Sequence, residues 1–161
     1  MLMNKETLDK AQSVAIKFTN YRLRSEQELK IRLLKNFDEA IVKKTISKMY
    51  EFGFLDDTRF ANIFTESRVI SRPRSSTLIK KELLQKGISK ETADSAVEEV
   101  NDSEMCLILA NKKARSLSHL EWSDFQKKMQ GYLARKGFNY STANSAIKKI
   151  WPQIRSDLNT N

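Results

Sequence analysis

The chain has 161 residues, 40% of them hydrophobic, which is enough to build an apolar core and excludes disorder along its whole length. Only four Gly and two Pro stand among many Lys, Glu, Leu, Ala, Ile and Ser residues, a composition that favours an all-α fold. Lys and Arg number 29 against 20 Asp and Glu, and a net charge of +9 suits a polyanionic partner such as nucleic acid or an assembly built on it, although a solvated basic face would give the same balance.

The opening Met1-Leu2-Met3-Asn4-Lys5-Glu6 has neither a long apolar core nor a cleavage site. No later run approaches the roughly 20 apolar residues that span a bilayer, so a cytoplasmic location without a membrane partner is expected. A first helix is predicted over roughly 5 to 23, with Leu8, Ala11, Ala15 and Phe18 on one stripe. Ser25 and Glu28 then form a capping box ahead of Leu29, Leu33 and Leu34, and Asn36-Phe37 ends that helix, Asn being tolerant of the left-handed region. Asp38 caps a third helix carrying Ile41, Ile46, Met49 and Tyr50, which stops at Gly53.

A second triplet follows the same plan. A helix over roughly 57 to 70 carries Phe60, Ile63, Phe64 and Ile70; Ser75 or Ser76 starts the next, Gly87 ends it, and Ser89 caps the last. The third triplet opens with a helix over roughly 103 to 117 bearing Leu107, Ala110, Ala114 and Leu117. Ser123 and Gln126 offer a capping box, Gly137 a stop and Ser141 a further start. Shifted by fifty positions, Leu83, Lys86, Gly87, Thr92, Ala93, Ser95 and Ala96 fall on Leu133, Lys136, Gly137, Thr142, Ala143, Ser145 and Ala146. The expected organisation is three tandem three-helix repeats, 1–55, 56–101 and 102–161, the last with a C-terminal tail. Three short helices make a thin core, so neighbouring repeats are expected to bury surface against each other.

Chemistry finds little to stand on. Asp56 and Asp57 lack convergent partners for catalysis or metal binding and read better as a helix cap after Gly53, with Phe54 and Leu55 filling the core. His119 is the only histidine, Cys106 lies among Met105, Leu107, Ile108 and Leu109 with no activating base, and no phosphate-cradling glycine loop occurs. No catalytic residue, metal or cofactor is expected. Binding is a better prospect. Arg59, Arg68, Arg72, Arg74, Lys80, Lys81 and Lys86 fall in one window and can clamp phosphates or acidic side chains. A second basic set, Lys127, Lys128, Arg135, Lys136, Lys148, Lys149 and Arg155, stands near Trp122, Tyr132, Phe138, Tyr140 and Trp151; of these aromatics, Phe138 and Trp151 read as core.

Ser25-Glu26-Gln27-Glu28-Leu29, Gly53-Phe54-Leu55-Asp56-Asp57 with Arg59-Phe60-Ala61, and Glu82-Leu83 through Lys86-Gly87-Ile88 resemble, in order and spacing, the bacterial RecX regulatory proteins, and the resemblance runs from about residue 8 to 155. It implies a curved, elongated array of the three repeats. It also implies a non-enzymatic cytoplasmic regulator that binds the RecA recombinase and its filament on DNA, usually lowering ATPase and strand-exchange activity in repair and recombination. The seven central basic residues are then candidates for contact with RecA or with DNA directly, and a monomer is expected. Relatives commonly carry a glycine-containing basic loop where this chain has Ser71-Arg72-Pro73-Arg74-Ser75-Ser76, and a frequently basic helix position is Leu78. A stand-alone helical DNA-binding module, acting without RecA, is the alternative, and a helical scaffold for other proteins a third.

Overall fold

A computed structural model describes residues 5–159, with side chains through 156; the stretch Met1–Asn4 read for a targeting signal lies outside the described residues. Nine α-helices occur there and no strand: α1 (Lys5–Tyr21), α2 (Glu26–Leu33), α3 (Glu39–Glu51), α4 (Asp57–Ser71), α5 (Ser76–Gln85), α6 (Lys90–Val97), α7 (Asp102–Ala114), α8 (Trp122–Arg135) and α9 (Tyr140–Asn159). They fall into three successive triplets along the chain. No described helix is long and apolar enough to cross a membrane.

Short helices need their free amide hydrogens satisfied at the start, and most of the expected caps do this. Ser25 Oγ accepts from Glu28 N while the Glu28 carboxylate accepts from Ser25 N, completing the capping box of α2. Asp38 accepts from Ile41 N, Asp56 from Arg59 N, Ser75 from Leu78 N and Ser89 from Thr92 N. Three expectations change. Helix α8 begins at Trp122, after Glu121 and without a side-chain cap, so Ser123 lies inside its first turn. Asn139, whose side chain accepts from Thr142 N, caps α9 in place of Ser141. Helix α2 ends through right-handed Leu34, with Asn36 N and Phe37 N both donating to Leu33 O, and no described residue other than glycine has positive φ, so Asn36 does not use the left-handed region.

The chain forms two compact units that are not the helical triplets. The first takes the chain up to Phe64 together with Glu82–Ala96; the second takes Thr65–Lys81 together with the chain from Val97 onward. In the first unit Ala15, Leu29, Leu33, Val42, Met49 and Leu55 are buried, with Phe18, Phe37 and Phe54 packed around them. The small Ala11 and Ala15, fully buried, let α1 lie close on α3. In the second unit Met105, Cys106, Leu109 and Ala110 of α7, Phe125, Met129 and Leu133 of α8, and Ala143, Ile147 and Ile150 of α9 make one cluster, which Val69 of α4 joins. Phe138 is buried, and Trp151 lies against Phe125 with ring centroids 5.0 Å apart, so both serve packing. Helix α9 runs on through Pro152, which has no N–H to donate.

Glycine placement gives a direct stability test. Gly53 (φ 73°) and Gly137 (φ 92°) both need the left-handed region, but a β-carbon at Gly53 would meet nothing, whereas one at Gly137 would overlap Ser75 Oγ and lie 2.7 Å from Leu78 Cβ. Gly53→Ala should cost about 1 kcal/mol from backbone conformation alone. Gly137→Ala should cost roughly 2 to 4 kcal/mol, because steric overlap adds to strain. Urea denaturation of the two variants checks the difference; equal losses would show that Gly137 serves only its turn.

Candidate functional site

The fifty-residue shift has a spatial counterpart in each unit. In the first, Ser25 Oγ, besides capping α2, donates to Lys86 O at 2.7 Å, and a β-carbon on Gly87 would overlap Gln27 Cβ. In the second, Ser75 N donates to Lys136 O at 3.0 Å, and Gly137 faces Ser75 and Leu78 just as closely. The Lys-Gly turn that ends one helix is thus also the seat for the start of a helix in the preceding repeat. An aspartate completes each seat. Asp57 Oδ1 accepts from Glu26 N at 2.8 Å, and Asp102 accepts from Ser76 N at 2.7 Å and from Ser76 Oγ at 2.9 Å. Both aspartates are the first residues of their helices, so each carboxylate lies where the helix dipole favours it.

Charge is concentrated at the first of these seats. Glu28 Oε1 takes Arg22 at 2.9 Å and Lys86 at 3.0 Å. Burial pushes its carboxyl up, but hydrogen bonds from Arg22, Lys86 and Ser25 N outweigh this and bring its pKa down to about 2. Beside it, Tyr50 donates to Glu26 Oε2 at 2.7 Å; burial and that carboxylate raise the phenol. Burial also raises the Asp57 carboxyl, with Glu26, Asp56 and Glu28 adding to it against the hydrogen bond from Glu26 N. Asp57 is therefore a seat for a neighbouring helix, while Asp56 alone is the cap of α4.

The seven central basic residues do not share one environment. Arg59 and Lys86 belong to the first unit; Arg68, Arg72, Arg74, Lys80 and Lys81 belong to the second. Arg59 is exposed on the first turn of α4, and Lys86 is held by Glu28. Arg68, Arg74 and Lys80 are half-buried and already engaged in interactions. Arg72 and Lys81 are exposed. Their setting follows from a pattern that the sequence contains and that is easily missed: Arg22-Leu23-Arg24-Ser25 returns fifty positions later as Arg72-Pro73-Arg74-Ser75. In the first copy Arg24 lies 3.9 Å over the Phe18 ring and donates to Phe18 O, while Arg22 is held by Glu28. The position equivalent to Glu28 is Leu78, so Arg72 has no capping-box carboxylate to hold it.

Of the second basic set, Arg155 stacks 4.4 Å from Trp151 and reaches Glu121 at 3.2 Å, whereas Lys127, Lys128, Arg135, Lys148 and Lys149 are exposed. Cys106 is buried with its thiol 3.9 Å from Thr142 O, and burial followed by Asp102 raises its pKa to about 11, which makes it an inert packing residue. His119 is exposed, and no described group of His, Cys, Asp and Glu is arranged to hold a metal ion.

Comparison with known proteins fits the repeated geometry. Residues 56–97 match the second three-helix domain of RecX, and residues 101–147 match its third. A regulatory protein RecX from Clostridium botulinum (strain Eklund 17B / Type B) is 32% identical over 155 residues, covering 92% of this chain and 72% of that protein. The chain belongs to the RecX family. A regulatory protein RecX from Chlorobium phaeobacteroides (strain BS1) is 31% identical over 145 residues, 88% of this chain and 94% of its own. The crystal structure of RecX from Lactobacillus salivarius superposes with a TM-score of 0.82 over 91% of this chain and 98% of that one, at 24% identity, and a second RecX crystal structure gives 0.77 over 88% and 71%. These likenesses establish the all-α fold of repeated three-helix units. Membership makes the chain a regulatory protein and not an enzyme.

The Glu28 seat yields a pH prediction. Its folded pKa, about 2, lies below the ordinary 4.5, so its stabilisation is present above about 4.5 and is lost as pH falls through about 2. Urea midpoints measured down that range should fall for the natural chain, and Glu28→Gln should flatten the fall; an unchanged slope would mean that the ion pairs with Arg22 and Lys86 carry no net stability.

Proposed function

We propose that this chain regulates the RecA recombinase by binding RecA filaments on DNA, lowering ATP hydrolysis and strand exchange, with Arg72 and Lys81 as its principal contacts among the central basic residues. Membership of the RecX family supports the regulatory part of the reading. The release of Arg72 is the observation that carries the rest. Both arginines are exposed, but Arg22 is spent on Glu28 whereas Leu78 gives Arg72 no such carboxylate, so its guanidinium can be given to a phosphate or an acidic side chain without breaking a capping-box ion pair. Lys81, also exposed, adds a second cation in the same compact unit. Arg68, Arg74 and Lys80 of that unit add positive field more than direct contacts, and Arg59 and Lys86 are secondary candidates in the first unit. Binding built from such charges weakens as salt rises. The partner is in the cytoplasm, and the chain acts as a monomer.

The decisive assay adds the purified protein to RecA on single-stranded DNA and follows ATP hydrolysis over a concentration series. Hydrolysis should fall with increasing protein. Arg72→Glu combined with Lys81→Glu should lower filament affinity about tenfold with no change in thermal midpoint, since both side chains are exposed. No effect of the natural chain at saturation would reject the reading, and full binding by the double variant would move the binding surface to other residues.

A further inference from the structure

Gly131 is an odd glycine. The other three take positive φ at helix ends, whereas Gly131 lies inside α8, where glycine costs helix stability relative to alanine, and a β-carbon there would meet only the tip of Arg135 at 3.5 Å. Neither a turn nor close packing accounts for it. Gly131 does line an open groove between the end of α7 and α8, whose other walls include Lys113, Lys127, Lys128, Tyr132 and Arg135. Lys113 is held there, its ammonium 5.6 Å from the Tyr132 ring centre, and Lys136, outside the lining, lies at the same distance from that ring. Asp124 is the one carboxylate among the described lining residues, toward the start of α8, and Leu117 below is buried.

We infer that this groove is a second binding site, which takes the phosphodiester backbone of single-stranded nucleic acid without help from a recombinase. The described walls offer ammonium and guanidinium donors but no exposed apolar anchor of the kind a peptide helix needs, so charge is the recognition element. From Lys127 to Arg135 the cations extend about 12 Å along the helix axis, room for a few linked phosphates. The missing side chain at 131 lets a backbone lie close between them. Tyr132 in the wall keeps the Lys113 ammonium beside its ring, and a flexible single strand can follow so short a groove where a stiff duplex cannot. Asp124 marks the end at which the strand turns away. The site is independent of the filament reading, because its ligand is bound by the chain alone.

The test follows fluorescence anisotropy of a labelled oligothymidylate with the full chain and no RecA. Lys127→Gln with Lys128→Gln should weaken binding about tenfold and reduce the slope of log affinity against log salt by roughly 0.7 for each phosphate no longer neutralised. Gly131→Leu should weaken binding similarly while its thermal midpoint holds or rises, a combination that a structural role for the glycine would not give. Lys44→Gln, exposed on α3 and outside the groove, serves as the comparison and should leave oligothymidylate binding nearly unchanged. Unaltered affinity in both groove variants would overturn the inference, as would tighter groove-dependent binding of polyglutamate or of a duplex of equal length.

Discussion

A serine hydroxyl and a lysine carbonyl hold the key position in this fold. At the start of α2, Ser25 accepts from an amide of its own helix and donates to the carbonyl that precedes Gly87. Both halves of that arrangement depend on glycine, because any side chain at 87 would drive into Gln27. The same demand recurs at Ser75 and Gly137, where the bond to Lys136 O comes from the serine amide and its hydroxyl is left to the cap. Helix capping and packing between repeats are therefore one interaction. A helix of eight or ten residues is marginal by itself, and fixing its first turn on a neighbour supplies stability that its length does not.

This seat explains why compactness cuts across the triplets. Helix α5 begins with Ser75 seated on the Lys136–Gly137 turn and ends with the Lys86–Gly87 turn that seats Ser25, so its two ends serve different units. The large apolar clusters gather around Leu29 in one unit and Phe125 in the other, and Val69 of the middle triplet is drawn into the second. Because each seat closes on its own unit, the two can use different chemistry. The first carries the Arg22, Glu28 and Lys86 ion network, whereas the second has Leu78 in the place of Glu28 and adds the Ser76 hydroxyl to the amide that its aspartate accepts.

Much of this was legible in the residues. Apolar spacing, caps, glycine stops and the fifty-residue repeat together located the nine described helices, and Gly53, Gly87 and Gly137 announced their left-handed turns because few other residues tolerate them. Caps that rest on a local pattern, such as Ser25 with Glu28, were readable too. Those that depend on where the chain enters a helix were not: Ser123 and Ser141 have the right chemistry but lie inside the first turns of α8 and α9. What the linear pattern hides most is a second use of a residue. Lys86 looks like a surface cation and is a tether for Glu28; Asp57 looks like a cap and is an acceptor for another helix. Arg74 reads as a loop charge, yet the stacking of its counterpart Arg24 on Phe18 shows how readily such a position is drawn inward.

Charge counting alone therefore misjudges a basic protein of this kind. A cation at a repeat seat, as Lys86 is, is consumed in holding the fold, and its contribution to a partner is limited to the field it casts. A residue becomes available when its internal acceptor has been replaced, as Leu78 stands in the place of Glu28 beside Arg72. The same criterion applies to glycine. Where positive φ or steric overlap demands it, glycine reports on the backbone; where neither does, as at Gly131, the absent side chain is itself the feature, and the space it leaves among lysines and an arginine is the space the proposed strand fills.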